Sequence, residues 1–198
     1  MTFCNPYQVV RDFEKAVAEY CGSPYAVTVN SCTNAIFLCC KYLAVKDVEI
    51  PKRTYLSVPM QILHSGGRVF FRDELWTGEY QLRPYPIWDA ARRFTSAMYH
   101  PGGFVCLSLH WSKILGIQQG GVILTDDEKA VDWFKMARFD GRREGVAPKD
   151  DVPILGWHMY MSPEIAAEGL VRLSFLPEHN DDLPNDDYPD LSKLEIFK

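Results

Sequence analysis

The sequence contains no apolar run approaching the ~20 residues needed to cross a bilayer, which argues against a membrane-embedded protein. Its opening, Met1-Thr2-Phe3-Cys4-Asn5-Pro6, has neither a basic region nor an apolar block, so export is not expected. The six cysteines, at 4, 21, 32, 39, 40 and 106, include no Cys-x-x-Cys pair. They read as small buried hydrophobes in a reducing, cytoplasmic setting. The five histidines, at 64, 100, 110, 158 and 179, show no metal-ligand spacing. Internal repeats and low-complexity segments are absent as well.

An excess of either charge is lacking through most of the chain. From Glu178 onward seven acids face only Lys193 and Lys198; of 26 acids and 21 bases in all, that leaves residues 1–177 with 19 of each. A neutral body without a basic stripe argues against nucleic acid as a partner. The expected organisation is an α/β domain over 1–177 followed by an acidic tail, 178–198. With Pro184 and Pro189 in it, the tail reads as extended or loosely docked.

What is present is strand alternating with helix. Asn5-Pro6 suits a helix start, Val10, Phe13, Val17 and Tyr20 recur at helical spacing, and Gly22 supplies a stop. Tyr25 to Val29 reads as a strand running into Asn30-Ser31-Cys32-Thr33 and a buried helix over 35–45. Further strands are expected near 48–50, 68–71, 104–109 and 121–124, with helices after Ser57, Thr125 and Ser162. Residues 73–85 read as an irregular connection. The pattern predicts an α/β fold with a mostly parallel central sheet flanked by helices.

Three strand ends carry unusual polar groups, and ligands of open α/β sheets bind at the carboxyl ends of strands. Ser31-Cys32-Thr33 brings hydroxyls and a helix N-terminus together, which suits a phosphate. Asp89 follows an apolar strand. Lys113 sits in a loop that begins Ser108-Leu109-His110 and ends at Gly120-Gly121. Singly, each has an ordinary explanation: a plain helix cap, a solvated carboxylate, a solvated amine.

Their order is more specific. It resembles the DegT-type sugar-nucleotide aminotransferases, pyridoxal-phosphate enzymes of the aspartate aminotransferase fold class, over about residues 10 to 175. Ser31-Cys32-Thr33 is similar to the family's Ser-x-Thr turn, and Pro51 to Tyr55 to its Pro-x-x-Thr-aromatic segment. Trp88-Asp89-Ala90-Ala91 resembles its Glu-Asp-Ala-Ala motif. Ser108 to Lys113, with Gly120 to Asp126, resembles the cofactor-lysine loop and the Gly-Gly strand behind it. Arg138 to Arg142 resembles an Arg-x-His-Gly element, and Gly156 to Ser162 the segment that reaches the neighbouring subunit's cofactor.

The resemblance implies pyridoxal 5'-phosphate as cofactor, held covalently by Lys113. Asp89 would pair with the ring nitrogen, Ser31, Thr33 and Ser108 would anchor the phosphate, Cys32 would border the cofactor in place of a small residue, and Tyr55 would cover a ring face. Arg92 stands where the family has Gln or His near the phenolic oxygen, and His158 or Tyr160 near an asparagine that crosses a homodimer interface. The implied reaction moves an amino group from an amino acid, glutamate first, to a nucleotide-linked keto sugar. Two departures bear on this. Asp73 to Trp88 is shorter than the family's stretch, and the chain ends soon after residue 175, so the family's C-terminal small domain is expected to be missing. A catalytically reduced cofactor-binding or dimerising module is therefore the alternative. Another reaction on amino sugars, such as dehydration or racemisation, is a further alternative; Lys113 disfavours dehydration, because relatives that dehydrate carry histidine at that position.

Overall fold

A computed structural model describes residues 5–147, 149–184 and 188–197. Helix α1, Gln8–Cys21, buries Val10, Phe13 and Val17 on one face, and Gly22 ends it in the left-handed region at φ 72°, a conformation that costs other residues more. Then follow β1 (Tyr25–Val29), α2 (Cys32–Tyr42), β2 (Asp47–Pro51), α3 (Ser57–His64), β3 (Arg68–Arg72) and β4 (Tyr80–Leu82). Strands β5 (Ile87–Asp89), β6 (Phe104–Ser108) and β7 (Gly121–Thr125) precede helices α4 (Glu128–Ala137) and α5 (Pro163–Leu173).

The main sheet has the order β1-β7-β6-β5-β4, and β2 and β3 pair separately in parallel. Helices cover both faces. Val27, Val29, Cys106 and Ile123 point to the side packed by α2, α3 and α4. Ala26, Val105, Leu107, Val122 and Leu124 point to the side packed by α1 and α5. That alternation is the two-residue period of a strand, and it explains why β6 and β7 are apolar throughout although neighbours point opposite ways.

The α/β class holds, but the sheet is mixed rather than mostly parallel. Only β5 and β6 run parallel; β1/β7, β7/β6 and β5/β4 are antiparallel. The connections account for this. A parallel return needs a crossover, normally a helix, whereas the loop carrying Lys113 between β6 and β7 holds no helix and simply turns the chain back. The 73–85 connection also contains a strand, β4, which the sequence reading missed.

The described residues of the acidic tail, 178–184 and 188–197, are bonded to the body rather than loosely docked. Ser96 N–H donates to Glu178 O at 2.9 Å, Leu183 N–H to Arg92 O at 2.9 Å, and Leu191 N–H to Lys52 O at 2.8 Å. Arg93 grips both carboxylate oxygens of Asp182, and Leu191 is fully buried. Specific partners on the body thus hold an element that composition alone describes as solvated. Among the described residues no helix is long and apolar enough to cross a membrane.

Candidate active site

The carboxyl ends of β1, β5 and β6 open into one cavity of about 410 Å³, within the range of small-molecule sites. At the end of β1, Ser31 adopts extended backbone and its hydroxyl accepts the Asn34 N–H at 3.2 Å, capping α2. Thr33 Oγ1 lies 2.8 Å from Ser57 Oγ, tying the first turn of α2 to that of α3. Both turns present backbone N–H groups and hydroxyls to the same space.

This turn can approach the sheet only because β7 begins with glycine. A Cβ on Gly121 would lie 2.4 Å from the carbonyl carbon of Ser31 and 2.5 Å from Cys32 N. Gly121→Ala should therefore push the turn off the sheet. The expected cost is about 1–3 kcal/mol, seen by calorimetry as a melting temperature lower by roughly 2–10 °C.

Asp89 closes the floor of the cavity at 3 % exposure. Its Oδ2 accepts the Tyr80 hydroxyl at 2.6 Å, its Oδ1 accepts Ala91 N–H at 3.0 Å, and Cys32 Sγ stands 4.0 Å from Oδ1. Burial pushes the Asp89 carboxyl above the ordinary carboxylate range; the Tyr80 and Ala91 hydrogen bonds and the charges of Lys113 and Arg92 oppose that. Lys113 is half-buried, in a loop pinned by buried Leu109, Leu115 and Ile117 and by Lys113 N–H donating to His110 O at 2.8 Å. Burial holds its amine below the usual lysine value, and the Arg92 guanidinium lowers it further, while Asp89 pulls the other way. The Cys32 thiol is raised by burial and by Asp89, so it stays neutral.

All but one of the sequence-predicted residues meet here. Ser31, Cys32, Thr33, Tyr55, Asp89, Arg92, Ser108 and Lys113 line the cavity. His158 does not: its ring is mostly exposed and its Nδ1 lies 3.1 Å from an Asp140 carboxylate oxygen, outside the cavity of its own chain. Arg92 is turned toward the tail. Its Nε donates to the Tyr188 hydroxyl at 3.1 Å, another guanidinium nitrogen contacts Pro184 O, and the guanidinium lies 4.9 Å from the Tyr188 ring centre. Tyr188 lines the cavity too. Neither it nor Tyr80 was found from sequence. The alternation Tyr80-Gln81-Leu82 was the only signal for the latter, and three residues are too few to stand out.

Residues 2–103, more than half of the chain, match the model of the DegT/DnrJ/EryC1/StrS aminotransferase family. The chain belongs to that family. The match takes in the Ser31 turn, Tyr55 and Asp89; Lys113 lies beyond it. The chain is 32% identical over 129 residues to the spore coat polysaccharide biosynthesis protein SpsC of Bacillus subtilis, covering 62% of this chain and 32% of that protein. It is 24% identical over 215 aligned residues to the GDP-perosamine synthase of Caulobacter vibrioides, covering 85% of this chain and 57% of that one. Solved structures agree on the fold. AtS13 from Actinomadura melliaura superposes with a TM-score of 0.72 at 22% identity, over 84% of this chain and 59% of its own. NtdA from Bacillus subtilis, solved with bound cofactor PMP, gives 0.69 at 20% identity, over 85% and 48%. The chain thus spans about a third to three fifths of the length of the relatives it matches.

Proposed function

We propose that this chain is a pyridoxal-phosphate-dependent aminotransferase that moves an amino group from an amino acid, glutamate the expected donor, to a nucleotide-linked keto sugar. One observation carries the reading: a half-buried lysine and a buried carboxylate share a single cavity with a hydroxyl-rich helix start. Relatives named for polysaccharide and perosamine synthesis, and a structural neighbour holding PMP, support the substrate class and the cofactor.

The residues fit the group. The Asp89 carboxylate has acceptor capacity left after Tyr80 and Ala91, enough for a protonated ring nitrogen. Ser31, Thr33 and Ser108, with the N-terminus of α2, suit a phosphate, and Tyr55, half exposed, is free to lie on a ring face. When bound, pyridoxal phosphate supplies an aldehyde that captures amines and a ring that withdraws electrons from the neighbouring carbon. Lys113 would be the amine that anchors it, and its Nζ, when free, would serve as the base that takes up a proton and the acid that returns it. Lowering the lysine's proton affinity by burial keeps that nitrogen available as a base. We further propose a cytoplasmic homodimer in which His158, exposed and outside its own cavity, is offered to the partner subunit's site.

Adding pyridoxal phosphate should produce visible-range absorption, and an amino donor should bleach it while pyridoxamine phosphate accumulates. Cofactor capture with no amino donor yielding pyridoxamine phosphate would leave a cofactor-binding or dimerising module instead. The rate of capture should rise with pH through an apparent pKa below the ordinary lysine value of 10.5. Arg92→Gln removes a neighbouring positive charge and should move that midpoint up; Asp89→Asn removes a negative one and should move it down. Stopped-flow absorbance across pH reads both shifts, and a midpoint unmoved by either substitution would place those charges too far from Lys113 to matter.

A further inference from the structure

Thr54, in the loop after β2, and Tyr80, on β4, form a buried hydrogen-bonded chain that ends on Asp89. Thr54 Oγ1 lies 2.5 Å from the Tyr80 hydroxyl, which in turn lies 2.6 Å from Asp89 Oδ2. Thr54 is 1 % exposed, and Tyr80 and Asp89 are each 3 % exposed. The direction of the protons follows from chemistry. The Tyr80 hydroxyl has one hydrogen; with Asp89 ionised, that hydrogen goes to the carboxylate, and Thr54 must donate to the tyrosine oxygen. Strand pairing fixes the geometry, because Tyr80 and Asp89 are direct partners in the β4/β5 register. Trp76 packs on the Tyr80 ring at 4.7 Å between centres and limits its swing.

We propose that Tyr80, supported by Thr54, is a positioning residue that orients Asp89 and keeps it ionised for the ring nitrogen of the cofactor. The proposal rests on the pyridoxal-phosphate reading above. Burial alone would favour the neutral carboxyl, which has no charge to match a protonated ring nitrogen and pairs with it far more weakly. The titratable groups around Asp89 come from several elements: the charged Lys113 from the loop after β6 and Arg92 from the segment after β5, and the neutral Tyr188 phenol from the tail. The thiols of Cys32 and Cys106 also lie near. The lysine and arginine charges act through space on any conformation of the carboxylate. Tyr80 and the Ala91 N–H donate to it at close range, the Cys32 thiol standing farther off at 4.0 Å, and the tyrosine hydroxyl is the close side-chain donor that substitution can remove. Burial and the Asp89 charge raise the Tyr80 hydroxyl well above its usual value, so it remains a donor at any working pH.

The test compares two ligands by fluorescence titration: pyridoxal phosphate, and the analogue whose ring nitrogen is replaced by C–H. Wild-type protein should prefer the first. Tyr80→Phe, which keeps the ring and its packing, should cut affinity for pyridoxal phosphate roughly tenfold or more and leave the analogue nearly unchanged. Acidification should release pyridoxal phosphate from the variant at higher pH than from wild type, since the carboxyl then protonates earlier. Asp89→Asn should abolish the preference, and adding Tyr80→Phe to it should change nothing more. Thr54→Val should move affinity the same way by a smaller factor, which keeps the test open should Tyr80→Phe fold poorly. Equal losses for both ligands, or an unchanged preference, would reduce Tyr80 to a packing residue and overturn the proposal. A wild-type protein that binds neither ligand would bring down the cofactor reading itself, a separate outcome.

Discussion

Lys113→Ala is expected to abolish covalent capture of pyridoxal phosphate completely. After borohydride treatment of the wild-type protein, peptide mass spectrometry should find the cofactor on Lys113 and on no other lysine. An amine must be neutral to attack an aldehyde, and exposed lysines remain protonated near neutrality. Lys52, the nearest alternative in sequence to a cavity residue, is paired with Asp73 at 2.9 Å and Asp190 at 3.6 Å, and those partners raise its proton affinity. Lys113 is shifted in the opposite direction by burial and by Arg92. The variant should still bind the cofactor without a covalent bond, because Asp89 and the Ser31 turn are untouched. Amino transfer should fall by at least the 10²–10⁴-fold that a positioned general base contributes. Visible absorption that survives in Lys113→Ala, with attachment elsewhere, would remove the lysine from the mechanism.

Much of this site was legible because its signals are local. A strand that ends in Ser31-Cys32-Thr33, a carboxylate directly after Ile87-Trp88, and a lysine between Ser108 and Gly120-Gly121 each sit at a strand terminus, and strand termini are marked by short-range pattern. Helix α1 was equally plain, since its apolar spacing and its glycine stop lie within one stretch of sequence. What escaped depends on contacts between distant residues. The Tyr188 hydroxyl meets Arg92 from 96 positions away, and no periodicity in the tail announces it. The expectation that Arg92 serves the cofactor's phenolic oxygen came from its place in a motif, whereas its partners come from a segment that composition marks as solvated. Strand direction was lost for a related reason. The loop carrying Lys113 is long enough for a crossover, and only its lack of a helix makes the return antiparallel.

Glu14 and Arg138 give the other large effect. From sequence, Glu14 is one acid beside Phe13 on an amphipathic helix and Arg138 part of a motif; in the fold both are buried, with side chains 6% exposed, in direct contact. Arg138 also donates to Thr28 O at 2.5 Å, while Glu14 Oε1 accepts Thr28 N–H at 2.8 Å and its hydroxyl at 2.9 Å. Arg138→Met should destabilise the protein by about 3–5 kcal/mol, because it strands a buried carboxylate. Glu14→Leu should cost a similar amount by stranding the guanidinium. The pair Glu14→Leu/Arg138→Met leaves no uncompensated charge and should cost clearly less than the two losses added, though Thr28 N–H would still lack its acceptor. Urea unfolding of the four proteins measures this coupling. Thr28 precedes the Ser31 turn by three residues in the same chain segment, and Asn30 N–H between them donates to Met159 O at 2.8 Å. Losing the ion pair should therefore loosen the Ser31 turn that lines the cavity as well as the fold, so Arg138→Met should bind pyridoxal phosphate more weakly even at temperatures where it remains folded. Strictly additive losses in the double variant would mean that the two charges, though touching, are not energetically joined.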